Sequence, residues 1–246
     1  EQCASQHSGR LAVADAHDSL TYGELSRRSD VLANRLLACG VRPNDFVAVK
    51  LDRTIEFPLA VIAIHKAGAA YVPIDLEYPE ERQQYMLSDS EAKVVIDSQF
   101  IAETDFSQEA TSIDLSTTEG LAYMIYTSGS TGLPKGVMIR QCALTSYIAS
   151  ITDVLGLSST DRISLHRPFS FDAHIQDLYP VLTVGGSLHI MPSEIRRDIQ
   201  GIRDFITGHS ITGGSYTTSL GKLLIESGPL PLRYMTLTGE RMADLV

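Results

Sequence analysis

The chain has 246 residues, 43% of them hydrophobic, and a formal net charge of −10. This size and composition allow one large globular domain or two small ones, and the acidic balance argues against a nucleic-acid partner, because phosphate backbones attract basic surfaces. No apolar run reaches membrane-spanning length, which argues against a membrane partner.

The spacing of cysteine and histidine indicates neither a disulfide framework nor a zinc site. Cys3, Cys39 and Cys142 are odd in number and far apart, and no CxxC or Cys/His cluster occurs. A reducing, cytoplasmic compartment is the simplest interpretation. The first residues, EQCASQHSGR, include neither an initiator Met nor the apolar stretch of a signal peptide. We therefore expect the sequence to be part of a longer protein.

Apolar patterning predicts alternating strands and helices along the first part of the chain. Thr21 and Glu24 match a capping box at the start of a helix whose leucines recur at helical spacing. A strand, FVAVKL, precedes a helix predicted over about 54–67. Two β-branched runs, AYVPID and AKVVID, flank a helix that Pro79 opens. The polar stretch 99–120 is predicted to be a surface connection.

The same alternation continues after residue 120. LAYMIYT reads as a continuous apolar strand that leads directly into the run YTSGSTGLPKGV. Strands apolar on both faces, alternating with helices, predict an α/β fold with parallel or mixed sheets covered by helices. The predicted organisation is a first α/β half over 1–98, a connection over 99–120 and a second α/β half over 121–246. Further strands are predicted at RISLH, SLHIM, ITGGSYT and YMTLTG, with helices near 141–155, 172–183, 196–208 and 217–227.

The run YTSGSTGLPKGV has the composition of a phosphate-binding loop. It follows a buried strand, where doubly wound sheets bind ligands. Glycines let the backbone approach an anion, hydroxyls donate hydrogen bonds, and Lys135 adds a positive charge. It is not a Walker A loop, because Lys135 follows Pro134 and precedes Gly136. A Ser/Gly linker is the alternative, but the position directly after the strand favours a phosphate loop.

The stretch LAYMIYTSGSTGLPKGVMI resembles the phosphate-loop signature of the adenylate-forming superfamily. This superfamily includes acyl-CoA synthetases, luciferases and the adenylation domains of nonribosomal peptide synthetases. LTYGELSRRSDVLANRLLACGV and HKAGAAYVPIDLEYPEER resemble core motifs of the peptide-synthetase branch, and so do FSFDAHIQDLYPVLTVGGSLHI and YMTLTGERM. The resemblance covers essentially the whole chain and implies the N-terminal core of the adenylate-forming fold.

The resemblance implies ATP-dependent activation of an amino acid. The substrate carboxylate attacks the α-phosphorus, pyrophosphate leaves, and the aminoacyl-adenylate passes to a phosphopantetheine arm. ATP and Mg²⁺ are therefore expected, with the peptidyl carrier and condensation domains of a parent synthetase as partners. An acyl- or aryl-CoA ligase and a nucleotide-binding module without chemistry are the alternatives.

The resemblance also assigns roles to residues. Asp172, which follows Phe171, is expected to pair with the α-ammonium group of the substrate, whereas the competing interpretation is an N-cap for the next helix. His174, Gln141 and Cys142 depart from the family pattern. The expected phosphate contacts are Thr127, Ser128, Gly129, Ser130, Thr131, Gly132 and Lys135. The expected substrate-pocket residues besides Asp172 are Phe171, Ala173, Gln176, Ser219, Thr236 and Thr238, with Gly239 and Glu240 expected near the adenine.

Several family elements lie beyond the stretch LTGE and are absent from these 246 residues. They are a Glu that helps to bind magnesium, an Asp that binds the ribose, and the small C-terminal domain with its catalytic lysine. Losing one preorganised cation costs on the order of a hundred- to a thousandfold in rate. We therefore expect the 246 residues alone not to form an adenylate at a useful rate.

Overall fold

Two mixed β-sheets flanked by α-helices make up the protein, a computed structural model that describes residues 2–128 and 133–241. This architecture confirms the predicted α/β class. The strands are β1 Leu11–Ala14, β2 Ser19–Thr21, β3 Phe46–Val49, β4 Ala70–Pro73, β5 Val94–Ile96, β6 Leu121–Thr127, β7 Lys135–Arg140, β8 Arg162–Leu165, β9 Ser187–Ile190, β10 Gly213–Thr217 and β11 Tyr234–Thr238. The helices are α1 Gln2–Gln6, α2 Tyr22–Ala38, α3 Glu56–Lys66, α4 Glu80–Asp89, α5 Ser98–Ala102, α6 Gln141–Leu155, α7 His174–Thr183, α8 Ile199–Gly208 and α9 Thr218–Glu226.

The order of the strands brings several strand ends to one edge. The six-stranded sheet runs β11-β10-β8-β9-β1-β2 and the five-stranded sheet runs β5-β3-β4-β6-β7. Neighbouring strands are parallel except in the hairpins β1–β2 and β6–β7. Because β8, β10 and β11 are parallel neighbours, the residues that follow them lie at the same edge, where α/β sheets bind ligands.

Each sheet contains strands from both predicted halves of the chain. β1 and β2, from 1–98, complete the six-stranded sheet, whereas β6 and β7, from 121–246, complete the five-stranded sheet. The division at 99–120 therefore describes the order of elements along the chain rather than the membership of the sheets. As a division into domains it stays a prediction.

The start of α2 confirms the predicted capping box. Thr21 Oγ1 accepts a hydrogen bond from the Glu24 backbone N–H over 3.2 Å, and the Thr21 N–H donates to the Glu24 carboxylate over 2.8 Å. Both bonds pair backbone N–H groups that the N-terminus of a helix otherwise leaves without an acceptor. The apolar face that carries Leu32 and Leu36 is fully buried. The helix ends before Gly40, whose φ of 88° suits a residue without a Cβ.

Five short elements, α1, β1, β2, α5 and β7, were not predicted from the sequence patterns. The first three precede the first predicted helix. α5 begins one residue before the predicted connection, and Asp97 caps it by accepting from the Phe100 N–H over 2.8 Å. The predicted loop does not lead directly into α6, because Lys135–Arg140 forms β7 against β6. The exposed and half-buried side chains of β7 explain why its sequence lacks the apolar run of a central strand.

Packing of α2 and α3 against the sheets forms the main core. Leu36, Phe57, Ile64 and Tyr71 are each at most 1% exposed. Complete burial of one large apolar side chain contributes about 1.5–3 kcal/mol. This packing holds the sheet edges, and the residues at them, in place.

Across residues 2–128 and 133–241, no helix combines the length and the apolar character needed to cross a bilayer.

Candidate functional site

The segment after β8 places Asp172 at the ligand-binding edge of the six-stranded sheet. Phe169 anchors this segment by stacking on Phe57, with ring centroids 3.6 Å apart and an angle of 7° between the planes. Ser170 donates a hydrogen bond of 2.8 Å to the Asp75 carboxylate. These contacts fix the backbone just before Asp172, which in turn precedes α7.

Asp172 does not cap α7. The N-cap residue is Ala173, and no side chain accepts a capping hydrogen bond there, so the structure does not show the competing N-cap interpretation. The Asp172 side chain is exposed and has no hydrogen-bond or ion-pair partner within the described ranges 2–128 and 133–241. Burial, together with the nearby Asp172 charge, raises the pKa of Tyr123 to about 12. The carboxylate is therefore available to a cationic ligand.

Two neighbouring cavities meet at Asp172. We call the first the loop cavity, of about 420 Å³, because Thr127 and Ser128 line it where the phosphate-loop run begins. The second, the helix cavity, has about 400 Å³ and is lined by residues of α6 and α7. Tyr123, Ile139 and Asp172 line both. Asp172 therefore forms part of the boundary between the two cavities.

The loop cavity contains only part of the predicted phosphate-binding set. Thr127 and Ser128 line it, together with Phe171 from the segment before α7. Lys135 is exposed and pairs in register with Thr127 across the hairpin β6–β7. The remaining predicted contacts, Gly129, Ser130, Thr131 and Gly132, lie outside the described residues.

Arg82 adds a positive charge to the loop cavity that the sequence analysis did not single out. Its guanidinium carbon lies 3.8 Å from the centroid of the Tyr78 ring, and both side chains line the cavity. Among the described residues, its buried Nε has no hydrogen-bond partner. Because Arg82 brings a positive charge to the wall of this cavity, it fits an anionic ligand there. The stretch HKAGAAYVPIDLEYPEER contains Arg82, but no spacing in it indicates a ligand contact.

The helix cavity contains most of the predicted side-chain pocket. Ala173, Gln176 and Thr238, which were predicted as substrate-pocket residues, line this cavity, and Ser215 lines it as well. Thr236 lies behind Gln176 and accepts a hydrogen bond of 2.7 Å from its amide Nε2. Gln176 on α7, Ser215 on β10, and Thr236 and Thr238 on β11 thus form one side of the cavity, which we call the polar wall.

Ser219 does not take the predicted place in this pocket. It lies on α9, where its backbone N–H donates 2.7 Å to the Glu240 carboxylate and its hydroxyl donates to the same oxygen. These bonds lower the pKa of Glu240. Ser215, which lies four residues earlier on strand β10, lines the helix cavity, whereas Ser219 does not. Gly239, with a φ of 90°, and Glu240 follow β11 and line neither cavity.

Asp177 lies behind the polar wall and is 1% exposed. Its Oδ1 accepts a hydrogen bond of 2.6 Å from Ser215, whereas its Oδ2 is buried without a partner in the described part of the chain. Burial raises the pKa of Asp177 to about 8, against the opposing effects of the Ser215 hydrogen bond and the Arg167 charge. Sequence patterns did not identify Asp177, because a helical Asp is ordinarily exposed.

Of the residues that depart from the family pattern, His174 is fully buried, whereas Gln141 and Cys142 are half-buried. His174 Nδ1 lies 2.6 Å from the Phe171 carbonyl oxygen, and its Nε2 lies 3.0 Å from the Tyr71 hydroxyl. Burial lowers the pKa of His174 to about 4, so the imidazole is neutral and donates through Nδ1. Gln141 donates from Nε2 to His65 Nδ1 over 2.9 Å. Neither His174 nor Gln141 lines a cavity.

Sequence comparisons match the chain to one family model and to parts of much longer synthases. The family described as AMP-binding enzyme matches residues 1–244. Surfactin synthase subunit 1 of Bacillus subtilis (strain 168) is 35% identical over 267 residues, covering 100% of this chain and 7% of that protein. Tyrocidine synthase 1 of Brevibacillus parabrevis is 33% identical over 86% of this chain and 21% of that protein. The chain thus spans only a small part of the curated relatives that it matches.

Solved structures share the two-sheet architecture. The nonribosomal peptide synthetase FmoA3 superposes with a TM-score of 0.87 at 26% identity, over 97% of this chain and 28% of that chain. Holo-AB3403, a four-domain nonribosomal peptide synthetase bound to AMP and glycine, superposes with a TM-score of 0.85 at 27% identity, over 98% of this chain and 19% of that chain. The motifs, the fold and the match over residues 1–244 agree: the chain belongs to the AMP-binding enzyme family.

Proposed function

We propose that these residues form the ATP- and substrate-binding core of an adenylation domain that activates an amino acid in nonribosomal peptide synthesis. The relatives are synthases of this class, and holo-AB3403 is described with AMP and glycine bound. In this proposal, ATP occupies the loop cavity and the amino-acid side chain enters the helix cavity.

The position of Asp172 is the observation that carries the proposal. It lines both cavities, and its exposed carboxylate has no partner among the described residues. An α-amino acid bound there places its ammonium group against Asp172 and its carboxylate toward the loop cavity. A carboxylate–ammonium contact is a charge-assisted hydrogen bond, which is stronger than a neutral one.

The chemistry then requires charge stabilisation on the loop side. When the substrate carboxylate attacks the α-phosphorus, negative charge develops on the phosphorus oxygens and on the departing pyrophosphate. Hydroxyl donors and fixed cations are suited to this charge. Thr127, Ser128 and Arg82 line the loop cavity, and Lys135 pairs with Thr127 beside it. We assign the phosphates to this group, together with the predicted contacts at 129–132.

Mg²⁺ and the acceptor of the acyl group are separate parts of the proposal. The described residues bring together no three of His, Cys, Asp and Glu that could hold a metal ion. Mg²⁺ is expected to arrive on the ATP phosphates, where it would offset their negative charge. A phosphopantetheine arm on a carrier domain is the proposed acceptor, and condensation domains are proposed neighbours. The multidomain relatives support both.

An acyl- or aryl-CoA ligase is the second candidate, because it shares the phosphate loop. Its substrates have no α-ammonium group, and an unpaired carboxylate at Asp172 would then have no purpose in substrate binding. A nucleotide-binding module without chemistry is the third. Exchange assays with amino acids and with matching carboxylic acids distinguish these three candidate functions.

The direct test is amino-acid-dependent ATP–pyrophosphate exchange by the full-length protein that contains these residues. Each amino acid is compared with a matching carboxylic acid that lacks the amino group. We expect exchange with at least one amino acid and none with its des-amino analogue. Exchange driven by simple carboxylic acids favours the ligase, and ATP binding without any exchange favours the non-catalytic module.

A further inference from the structure

Five residues along the helix cavity form a chain of hydrogen bonds that all point in one direction. The Tyr147 hydroxyl donates to Gln176 Oε1 over 3.1 Å. The Gln176 amide donates to Thr236 Oγ1 over 2.7 Å and to Ser215 Oγ over 3.1 Å. Thr236 donates to Ser215 over 2.8 Å, and Ser215 donates to Asp177 Oδ1 over 2.6 Å. The chain therefore ends at a buried carboxyl group.

Asp177 fixes this direction. The Ser215 oxygen has two lone pairs, and both accept, from Gln176 and from Thr236. Its single proton must therefore go to Asp177 Oδ1. With the neutral acid, Oδ1 keeps this acceptor role when the carboxyl proton is on Oδ2, which has no partner in the described part of the chain.

Most of the hydrogen-bonding positions that the cavity still offers to a ligand are acceptors. Both amide hydrogens of Gln176 and the only hydroxyl hydrogen of Tyr147 are already used, so their free positions are oxygen lone pairs. Thr238 differs, because its Oγ1 accepts from Arg167 over 2.5 Å and its own proton has no acceptor among the described residues. Asp172 is the sole acid among the described residues that line the cavity.

We propose that the activated amino acid has an uncharged side chain with an N–H or O–H donor, bound by Gln176 Oε1 or the Tyr147 oxygen, and that Asp177 is the positioning residue that sets this preference. The inference rests on the proposed function, because it assigns the side chain to the helix cavity. A cationic side chain is disfavoured, since Asp172 is committed to the α-ammonium group. An acceptor-only side chain would place oxygen against oxygen at Gln176 Oε1 and at the Tyr147 hydroxyl.

The first arm of the test uses pairs of substrates that differ only in the donor. Exchange is measured with asparagine, glutamine, threonine and tyrosine, and with analogues in which the donor is replaced by methyl or fluorine. For asparagine the analogue is 2-amino-4-oxopentanoate, which keeps the carbonyl acceptor. We expect the preferred substrate to be a neutral donor, and its analogue to lose at least about tenfold in kcat/KM. Preference for an apolar, acceptor-only or cationic side chain overturns the inference.

The second arm tests the role of Asp177 through the ratio of kcat/KM for donor and acceptor analogues. Asp177→Leu removes the acceptor for Ser215 and lets the Gln176 amide reorient, so the ratio is expected to fall toward one. Asp177→Asn keeps an oxygen facing Ser215 and is expected to retain the ratio. If Asp177 has only a structural role, Asp177→Leu lowers kcat/KM equally for the donor and the acceptor analogues. An unchanged ratio would therefore contradict the proposal.

Two further variants keep the result interpretable. Asp161→Asn changes another buried acid, one that bonds Thr212 and Arg233, and should leave the ratio unchanged. If Asp177→Leu does not fold, Ser215→Ala removes the same link and is expected to lower the ratio. Absence of exchange with every amino acid overturns the proposed function and this inference together. Exchange without a donor preference overturns this inference alone.

Discussion

His174 Nδ1 donates a hydrogen bond of 2.6 Å to the carbonyl oxygen of Phe171, the residue just before Asp172. Burial keeps the pKa of this imidazole near 4, so the neutral tautomer that makes the bond persists at physiological pH. The bond restrains the backbone that carries Asp172. His174 is therefore expected to position the Asp172 carboxylate, the proposed substrate contact, without touching the substrate.

Substituting His174 tests this restraint. We expect His174→Ala to raise KM for the amino acid about fivefold or more, as the loss of one buried hydrogen bond suggests, with little change in KM for ATP. His174→Asn can still donate to the Phe171 carbonyl and should recover much of the loss. Equal increases in both KM values for both variants would instead indicate general damage to the fold.

Arg82 is expected to act on ATP and not on the amino acid. Its position in the wall of the loop cavity places it on the proposed nucleotide side of Asp172. A hydrogen bond to a charged group contributes about 1.5–3 kcal/mol, so Arg82→Ala should raise KM for ATP at least about tenfold. Arg42→Ala, an exposed arginine that lines neither cavity, is the matched control. An unchanged KM for ATP in Arg82→Ala would remove this residue from the site.

The stability of the protein is expected to fall as the solution is acidified through pH 6.5 to 5.5. Burial lowers the pKa of His65, His166, His174 and His189 to about 4 each. The unfolded chain binds protons in this window while the folded imidazoles do not, so protonation favours unfolding. Asp177 opposes this trend, because its raised pKa of about 8 keeps it protonated in the fold.

Four imidazoles outweigh one carboxyl group, and the net loss is roughly 2–3 kcal/mol in the free energy of unfolding over this pH unit. Urea denaturation at both pH values measures it. Asp177→Asn removes the opposing group and should steepen the dependence, whereas replacing the exposed His17 with Gln should leave it unchanged. A free energy of unfolding that stays constant or rises on acidification would contradict the assignment of four neutral histidines.

The buried ion pair of Lys66 and Asp30 gives a prediction that is independent of function. The Lys66 ammonium lies 2.7 Å from the Asp30 carboxylate, with side chains only 9% and 11% exposed. Lys66→Ala leaves a buried carboxylate unpaired and should destabilise the fold by about 3–5 kcal/mol. Arg140→Ala breaks the exposed pair with Glu119, 3.2 Å apart, and should cost about 1 kcal/mol or less. Similar losses in both variants would contradict the distinction.

Local sequence patterns predicted much of the secondary structure. The capping box at Thr21, the apolar run of β6 and the helix that Pro79 opens are set by neighbours in the sequence, and the structure confirms them. The pairing of β1 with β9 joins Val13 to Leu188, and no local pattern encodes such a contact. The exchange of strands between the sheets was unpredictable for the same reason.

The residues of the candidate site also divide into those that a local motif predicts and those that only the tertiary structure shows. Asp172 and Gln176 were predicted from a motif, and the structure places both on the helix cavity. Ser215 was missed in favour of Ser219, because the strand face that points into the cavity depends on the packing of β10. Asp177 was missed because only the tertiary fold shows that this helical carboxyl group is buried.

The most direct test of the central claim is whether Asp172 recognises an α-ammonium group. In the full-length protein, exchange is measured for the preferred amino acid and for its des-amino analogue, with wild type and Asp172→Asn. The account predicts that wild type prefers the amino acid by at least about a hundredfold in kcat/KM and that Asp172→Asn loses most of this preference while KM for ATP stays nearly constant. An Asp172→Asn variant that keeps the full preference for the amino acid would contradict the account.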